Sequence, residues 1–161
     1  MQTSRKILAA VTLSALAAAA QAKIVASATY SANFQFSTPT ALVPLTPSGG
    51  TTKTFAIDSV GMYGLTFSAE CSVDAPDGNK DAWIDLDILV DGVAVAPTDN
   101  GNNEDAFCGS IGTAGFHNWG RHSITVPVRF TTTGDHKVQV RARLNYGATS
   151  GWVSDTALVL F

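Results

Sequence analysis

The chain has 161 residues, of which 45% are hydrophobic and 14% are charged, so it is long enough to form one domain with its own core. Its formal net charge is −3, and the sequence contains no cluster of Lys and Arg typical of a nucleic-acid-binding surface. Because nucleic acids and anionic membrane surfaces attract basic proteins, we expect neither as a partner.

The first 22 residues are typical of a secretory signal peptide. Arg5 and Lys6 precede an apolar run from Ile7 to Ala20, and Ala20-Gln21-Ala22 places small residues at the −3 and −1 positions of a cleavage site. The run is too short to span a bilayer, although an N-terminal anchor helix is the alternative. We expect residues 1–22 to be removed. Residues 23–161 then form a single domain, secreted or periplasmic, without membrane insertion. Loss of the two basic residues lowers the net charge from −3 to −5.

Apolar and polar side chains alternate with a period of two through the remaining chain, which indicates half-buried β-strands. The alternation predicts strands at about 24–36, 40–45, 52–58, 62–72, 82–90, 93–97, 106–110, 122–131, 136–144 and 153–161. Asp91-Gly92 predicts a two-residue hairpin, and Thr133-Gly134-Asp135 predicts another. The last strand is apolar on both faces, so we expect it at the centre of a sheet. The fold class is all-β: a two-sheet antiparallel β-sandwich or jelly roll.

Cys71 and Cys108 are the only two cysteines. An even number in an exported protein favours a disulfide over a metal or redox role, with free thiols as the alternative. We expect the bond to fasten the end of the sandwich at which the acidic loops lie.

Three segments between residues 55 and 161 resemble one known family. They are the strand Gly61 to Phe67, the hairpin Ile84 to Val95, and the pair formed by Gly134 to Val138 with the closing Ser154 to Phe161. Together they are similar to the jelly rolls of the complement globular head and tumour necrosis factor. The resemblance implies a compact homotrimer that binds partners without catalysis. Residues 67–71 and 85–98 also resemble secreted bacterial proteins that have no assigned function.

Acidic residues are concentrated between positions 70 and 105, where Lys80 is the single base. The predicted strand order places loops 74–81 and 98–105 at the same end of the sandwich. Carboxylate and amide oxygens are the ligands that calcium prefers. The candidate calcium ligands are Asp74, Asp77, Asn79, Asp81, Asp99, Glu104 and Asp105. The alternative is that both loops are simply solvated.

Trp83, Asp85 and Asp87 are predicted to share the outward face of one strand. An aromatic ring beside carboxylates can hold a sugar, although Trp83 could instead cover the sandwich end or an oligomer interface. Arg129, Lys137, Arg141 and Arg143 are predicted to project from two adjacent strands, for which Asp85 and Asp87 are the natural counter-charges. A solvated basic face is the alternative.

Residues 112–122 form a glycine-rich stretch that contains His117, Trp119 and His122. We add His117, Trp119 and Trp152 to the candidate ligand-binding residues. Ser110 and Ser123 lie nearby in sequence, but the chain has neither a Gly-x-Ser-x-Gly elbow nor a His-Glu-x-x-His helix. We therefore do not expect an enzyme.

The sequence favours a secreted binding or assembly module that presents its acidic end to a ligand or partner. We expect a homo-oligomer, with a trimer favoured, and the partner could be a glycan or a surface protein. The alternatives are a calcium-assisted carbohydrate-binding module, a surface-fibre subunit that donates the segment Ile24 to Phe36, and a small hydrolase.

Overall fold

A computed structural model describes residues 24–95 and 106–161, which form eleven β-strands. The strands are β1 (Ala26–Tyr30), β2 (Phe34–Phe36), β3 (Thr40–Leu42), β4 (Lys53–Ile57), β5 (Gly61–Asp74), β6 (Trp83–Val90), β7 (Val93–Ala94), β8 (Ala106–Gly109), β9 (Gly120–Phe130), β10 (Gly134–Asn145) and β11 (Ser150–Leu160). The described ranges contain no helix, and so none that could cross a bilayer.

Two antiparallel sheets form a sandwich, which confirms the predicted fold class. Sheet A has the order β1-β11-β5-β9, with β2 also paired to β11. Sheet B has the order β3-β10-β6-β7, with β4 also paired to β10 and β8 to β6. The closing strand β11 is central in sheet A, as predicted, with Leu158 and Leu160 buried on one side and Val159 half-buried on the other.

The core lies between the sheets, where alternate side chains of the long strands meet. Leu65 and Phe67 of β5 are fully buried, as are Val138 and Val140 of β10. The predicted disulfide between Cys71 and Cys108 is confirmed. It joins β5 of sheet A to β8 of sheet B with a Cα–Cα distance of 6.4 Å, and both cysteines are buried. The bond therefore fastens one sheet to the other within the core.

The predicted strand 24–36 is two strands, β1 and β2, and both pair with β11. Tyr30 lies opposite Thr156 and Phe34 lies opposite Val153, while the pairing of β11 with β5 is irregular between Ser154 and Ala157. The break at residues 31–33 thus lies beside the bulge in β11, where the extra residues interrupt regular pairing.

The predicted Asp91-Gly92 hairpin is confirmed, because φ is 51° at Asp91 and 84° at Gly92, as a type I′ turn requires. The hairpin predicted at residues 133–135 is wrong. β9 pairs with β5 in sheet A, whereas β10 pairs with strands of sheet B, so the turn between them crosses from one sheet to the other.

The predicted adjacency of the basic residues is wrong for the same reason. Arg129 lies on β9 in sheet A, and Lys137, Arg141 and Arg143 lie on β10 in sheet B. The charge row on sheet B therefore consists of the three β10 residues, and Arg129 belongs to a different surface.

Candidate functional site

The outer face of sheet A carries a group of aromatic and charged side chains near the carboxyl end of β5. Cys71 and Val73 are buried in the core, so the alternating residues Glu70, Ser72 and Asp74 point away from it. In the ladders, Trp152 of β11 lies opposite Ser72. On the other side of β5, Arg121 of β9 lies opposite Glu70. We call the surface formed by Trp119, Trp152, Ser72, Glu70 and Arg121 the tryptophan face.

Trp119 and Trp152 are in edge-to-face contact, with ring centroids 3.6 Å apart and an interplanar angle of 81°. Trp119 is 46% exposed and Trp152 is half-buried. Phe116 extends the cluster, with its centroid 6.0 Å from that of Trp119. The pair gives the sheet an apolar, partly open surface with two indole rings.

The two indoles meet above β5, because β5 lies between β11 and β9 in the sheet. Gly120, the first residue of β9, pairs with Cys71. Trp119, the residue before it, therefore lies beside Ser72, the residue after Cys71. Ser72 is 0% exposed although it faces outward, and its Oγ has no hydrogen-bond partner among the described residues. A buried, unpartnered hydroxyl therefore lies on the strand between the two tryptophan-bearing segments.

Charged groups lie next to the rings. Arg121 Nη2 is 3.6 Å from Glu70 Oε1, and both side chains are about half exposed. Arg121 Nη1 also donates to the carbonyl oxygen of Asp155, 3.3 Å away. Asp155 lies in the β11 bulge with φ of 46°, which is uncommon for a residue other than glycine. The face thus offers hydrogen-bond donors and acceptors beside its aromatic surface.

Two carboxylates fasten the glycine-rich loop to the end of β5. The amide of Ala114 donates to Asp77 Oδ1 at 2.7 Å, and the amide of Gly115 donates to Asp74 Oδ1 at 2.6 Å. The Thr149 hydroxyl donates to Asp74 Oδ2 at 3.0 Å. These bonds position the segment that leads to Trp119.

The same contacts bear on the predicted calcium site. Asp74 and Asp77 accept from backbone amides, and Asn79 accepts from the amide of Asp81 and donates to the carbonyl of Tyr146. Within residues 24–95 and 106–161, no three His, Cys, Asp or Glu side chains are placed to hold a metal ion. Asp99, Glu104 and Asp105 lie outside the described residues. Calcium binding and the placement of loop 98–105 stay predictions.

The predicted second surface, on β6, is built differently. Trp83 stacks on Tyr146, with centroids 4.4 Å apart. Asp85 and Asp87 are each 2% exposed. A role for Trp83, Asp85 and Asp87 in ligand binding stays a prediction.

The expected counter-charges are confirmed for Arg141 and Arg143 of β10, but not for Lys137, which within the described residues has no ion pair with Asp85 or Asp87. Asp87 Oδ2 accepts from Arg141 Nε at 2.8 Å, from Arg141 Nη2 at 2.6 Å and from Arg143 Nη2 at 2.7 Å. Arg143 Nη1 is 3.8 Å from Asp85 Oδ2. The arginine side chains thus enclose both carboxylates on the outer side of sheet B.

The histidines of the glycine-rich segment make contacts through their rings. His122 packs against Phe107 at 5.6 Å, and the His117 ring lies over Gly115. Ser110 Oγ accepts from the amide of Gly112 at 3.0 Å. Within the described part of the chain, neither histidine is hydrogen-bonded to a serine. The predicted ligand role of His117 is untested.

A coupled titratable pair lies away from this face. His136 Nδ1 is 2.6 Å from Asp91 Oδ2, and His136 Nε2 is 3.1 Å from the carbonyl oxygen of Thr132. The hydrogen bond to Asp91 raises the pKa of His136 above 6.5. The bond from His136, followed by that from the Lys137 amide, lowers the pKa of Asp91 below 3.8.

The sequence analysis named Trp119 and Trp152 but missed Ser72, Glu70, Arg121 and Asp155 as their neighbours. The pairing of β5 with β9 and β11, which the sequence does not state, was needed to bring these groups together.

Comparison with known proteins found no matching family model and no matching curated protein. Several solved structures are similar, and three of them follow. A family 35 carbohydrate-binding module from Clostridium thermocellum shares 15% identity, with a TM-score of 0.36, over 84% of this chain and 98% of that chain. CBM35 from Paenibacillus barcinonensis shares 20% identity, with a TM-score of 0.30, over 80% and 97% of the two chains. Dimeric latent PorU from Porphyromonas gingivalis shares 15% identity, with a TM-score of 0.33, over 88% of this chain and 13% of that chain.

None of the three is a complement globular head or a tumour necrosis factor, so the predicted resemblance to that family is not shown. The homotrimer that the resemblance implies stays a prediction.

Proposed function

We propose that this protein is an exported, non-catalytic module that binds carbohydrate on the tryptophan face. The observation that carries the proposal is the partly exposed pair Trp119 and Trp152 beside the Glu70–Arg121 ion pair. This is the calcium-independent form of the carbohydrate-binding alternative that the sequence left open.

The chemistry of the face suits a sugar. The C–H face of a pyranose packs on an aromatic ring, while its hydroxyls need donors and acceptors around the rim. Glu70 can accept from a hydroxyl and Arg121 can donate to one, and hydrogen bonds to charged groups are the stronger kind. Neither indole N–H has a hydrogen-bond partner within the described ranges, so both can donate to a ligand.

One further observation supports an exported module. The Cys71–Cys108 disulfide is a bond that persists in oxidising compartments, in agreement with the predicted signal peptide. Self-association is no part of the proposal.

The test is affinity electrophoresis and pull-down of residues 23–161 against xylan, mannan, galactan, pectin, starch, cellulose and chitin. At least one polysaccharide is expected to retain the protein without releasing reducing sugar. Trp152→Ala is expected to abolish retention. Tyr146→Ala, which removes an exposed aromatic ring outside the face, is the matched control and is expected to bind as the unaltered protein does. Retention that survives Trp152→Ala, or no retention by any polysaccharide, would contradict the proposal.

A further inference from the structure

Ser72 combines three properties that rarely occur together. It faces outward from β5, it is 0% exposed, and its Oγ has no hydrogen-bond partner among the described residues. Most buried hydroxyls in native proteins have a partner, so an unpartnered one calls for a physical reason. Resting on the proposed function, we propose that Ser72 Oγ is a ligand-contacting group, which Trp119 covers in the free protein and uncovers when carbohydrate binds.

The burial of Ser72 follows from its position between two strands. Trp152 lies opposite it on one side, and the chain entering β9 brings Trp119 beside it on the other. Adjacent strands are about 4.8 Å apart, so two rings whose centroids are 3.6 Å apart must meet over the intervening strand. A side chain larger than serine at position 72 would occupy the space where the indoles approach.

Of the two rings, Trp119 is the one that can move. Trp152 lies within β11, which pairs with β2 on one side and β5 on the other at this point. Trp119 precedes the first residue of β9. The last backbone amide that donates to either carboxylate is that of Gly115, four residues before Trp119. Beyond Gly115, the loop is held by the Asn118 Nδ2 bond to the carbonyl of Gly109 and by ring contacts.

Displacement of Trp119 would open a narrow space with a hydroxyl at its base and the Trp152 ring as a wall. A serine hydroxyl both donates and accepts, so it matches a sugar hydroxyl in either direction. The ligand class is therefore a sugar that projects a hydroxyl from the edge of its ring, while its apolar face packs on Trp152.

The experiment measures binding and stability together. The affinity of Ser72→Ala for the polysaccharide that retains the unaltered protein is expected to fall about three- to tenfold, the loss of one neutral hydrogen bond. Its melting temperature is expected to be unchanged or higher, because the variant removes an unpartnered buried hydroxyl. Ser68 lies on the same face of β5, four residues before Ser72. Ser68→Ala is the control and is expected to leave both affinity and melting temperature unchanged.

The outcomes separate this inference from the proposed function. If Trp152→Ala abolishes binding while Ser72→Ala binds as the unaltered protein does, Ser72 is only a small residue beneath two rings, and this inference alone fails. If Ser72→Ala loses affinity and melting temperature together, its role is structural and the inference fails as well. If no polysaccharide retains the unaltered protein, both proposals fail.

Discussion

His136 on β10 and Asp91 in the β6–β7 turn share a 2.6 Å contact between Nδ1 and Oδ2. The second carboxylate oxygen of Asp91 accepts from the Lys137 amide at 2.8 Å, so one side chain ties the turn to the neighbouring strand twice. His136 is 9% exposed and packs against Phe130, which holds the imidazole at the sandwich end.

Stability is expected to depend on pH through this pair. The raised pKa of His136 stabilises the folded state. This stabilisation is complete below pH 6.5 and is lost as pH rises through the folded pKa of His136. The lowered pKa of Asp91 also stabilises the folded state. This stabilisation is complete above pH 3.8 and is lost as pH falls through the folded pKa of Asp91. The melting temperature should therefore be highest between pH 3.8 and pH 6.5 and fall on both sides. His136→Gln should flatten the alkaline side, and an unchanged profile in that variant would assign the dependence to other groups.

Replacement of both Cys71 and Cys108 by Ala should lower the free energy of unfolding by up to about 4 kcal/mol. The bond closes a loop with a sequence separation of 37 residues, and the chain-entropy model assigns about this value to such a loop. Urea denaturation of the oxidised, reduced and doubly substituted proteins measures it. The reduced and substituted proteins should share one midpoint below that of the oxidised protein, and three equal midpoints would contradict the prediction.

Asp77→Ala should loosen the glycine-rich loop while changing global stability by only about 0.5–1.5 kcal/mol, since it removes one hydrogen bond. Hydrogen exchange at the Ala114 amide should accelerate. Asp81→Ala is the control, because the Asp81 carboxylate bonds to none of the described residues. Equal protection of the Ala114 amide in both variants would show that the Asp77 contact does not hold the loop.

Gly151→Ala should destabilise the protein by about 1–3 kcal/mol through overpacking. A Cβ atom at this position would lie 2.6 Å from Phe36 Cζ and 2.8 Å from Ile84 Cδ1, both in the core. Gly61→Ala is the matched control, since its Cβ would meet only Tyr63 Cε2, at 3.9 Å. The midpoints of chemical denaturation of the two variants are compared. Equal midpoints would show that Phe36 and Ile84 can move to accommodate a methyl group at position 151.

Local patterns predicted much of the fold, because the relevant physics is local. Alternation predicted the strands, and the positive φ that Asp91-Gly92 supplies predicted its hairpin. The turn after Phe130 shows where local information ends. A glycine-containing turn can reverse a chain within a sheet or carry it to the opposite sheet, and only the pairing of β9 and β10 with other strands distinguishes the two.

The candidate site was only partly predictable for a similar reason. Tryptophan beside glycine suggested Trp119, but the contact with Trp152 depends on two strands that are distant in sequence. Asp74 and Asp77 were predicted as metal ligands because carboxylates in a loop suit calcium. Their observed partners are the backbone amides of Gly115 and Ala114. A pattern of side chains cannot predict a hydrogen bond to a backbone amide about forty residues away in sequence.

The position of β9 at the rim of sheet A has a consequence for solubility. Gly64, opposite Pro127, exchanges its backbone hydrogen bonds with Phe161 on the β11 side, so the backbone of Pro127 points away from β5. Among the described strands β9 pairs only with β5, which leaves an eleven-residue rim that could recruit another chain. An added strand would accept a hydrogen bond from the backbone N–H at position 127, which proline lacks, and Arg129 adds a charge nearby. Pro127 therefore disfavours strand addition at this edge because it removes one backbone donor.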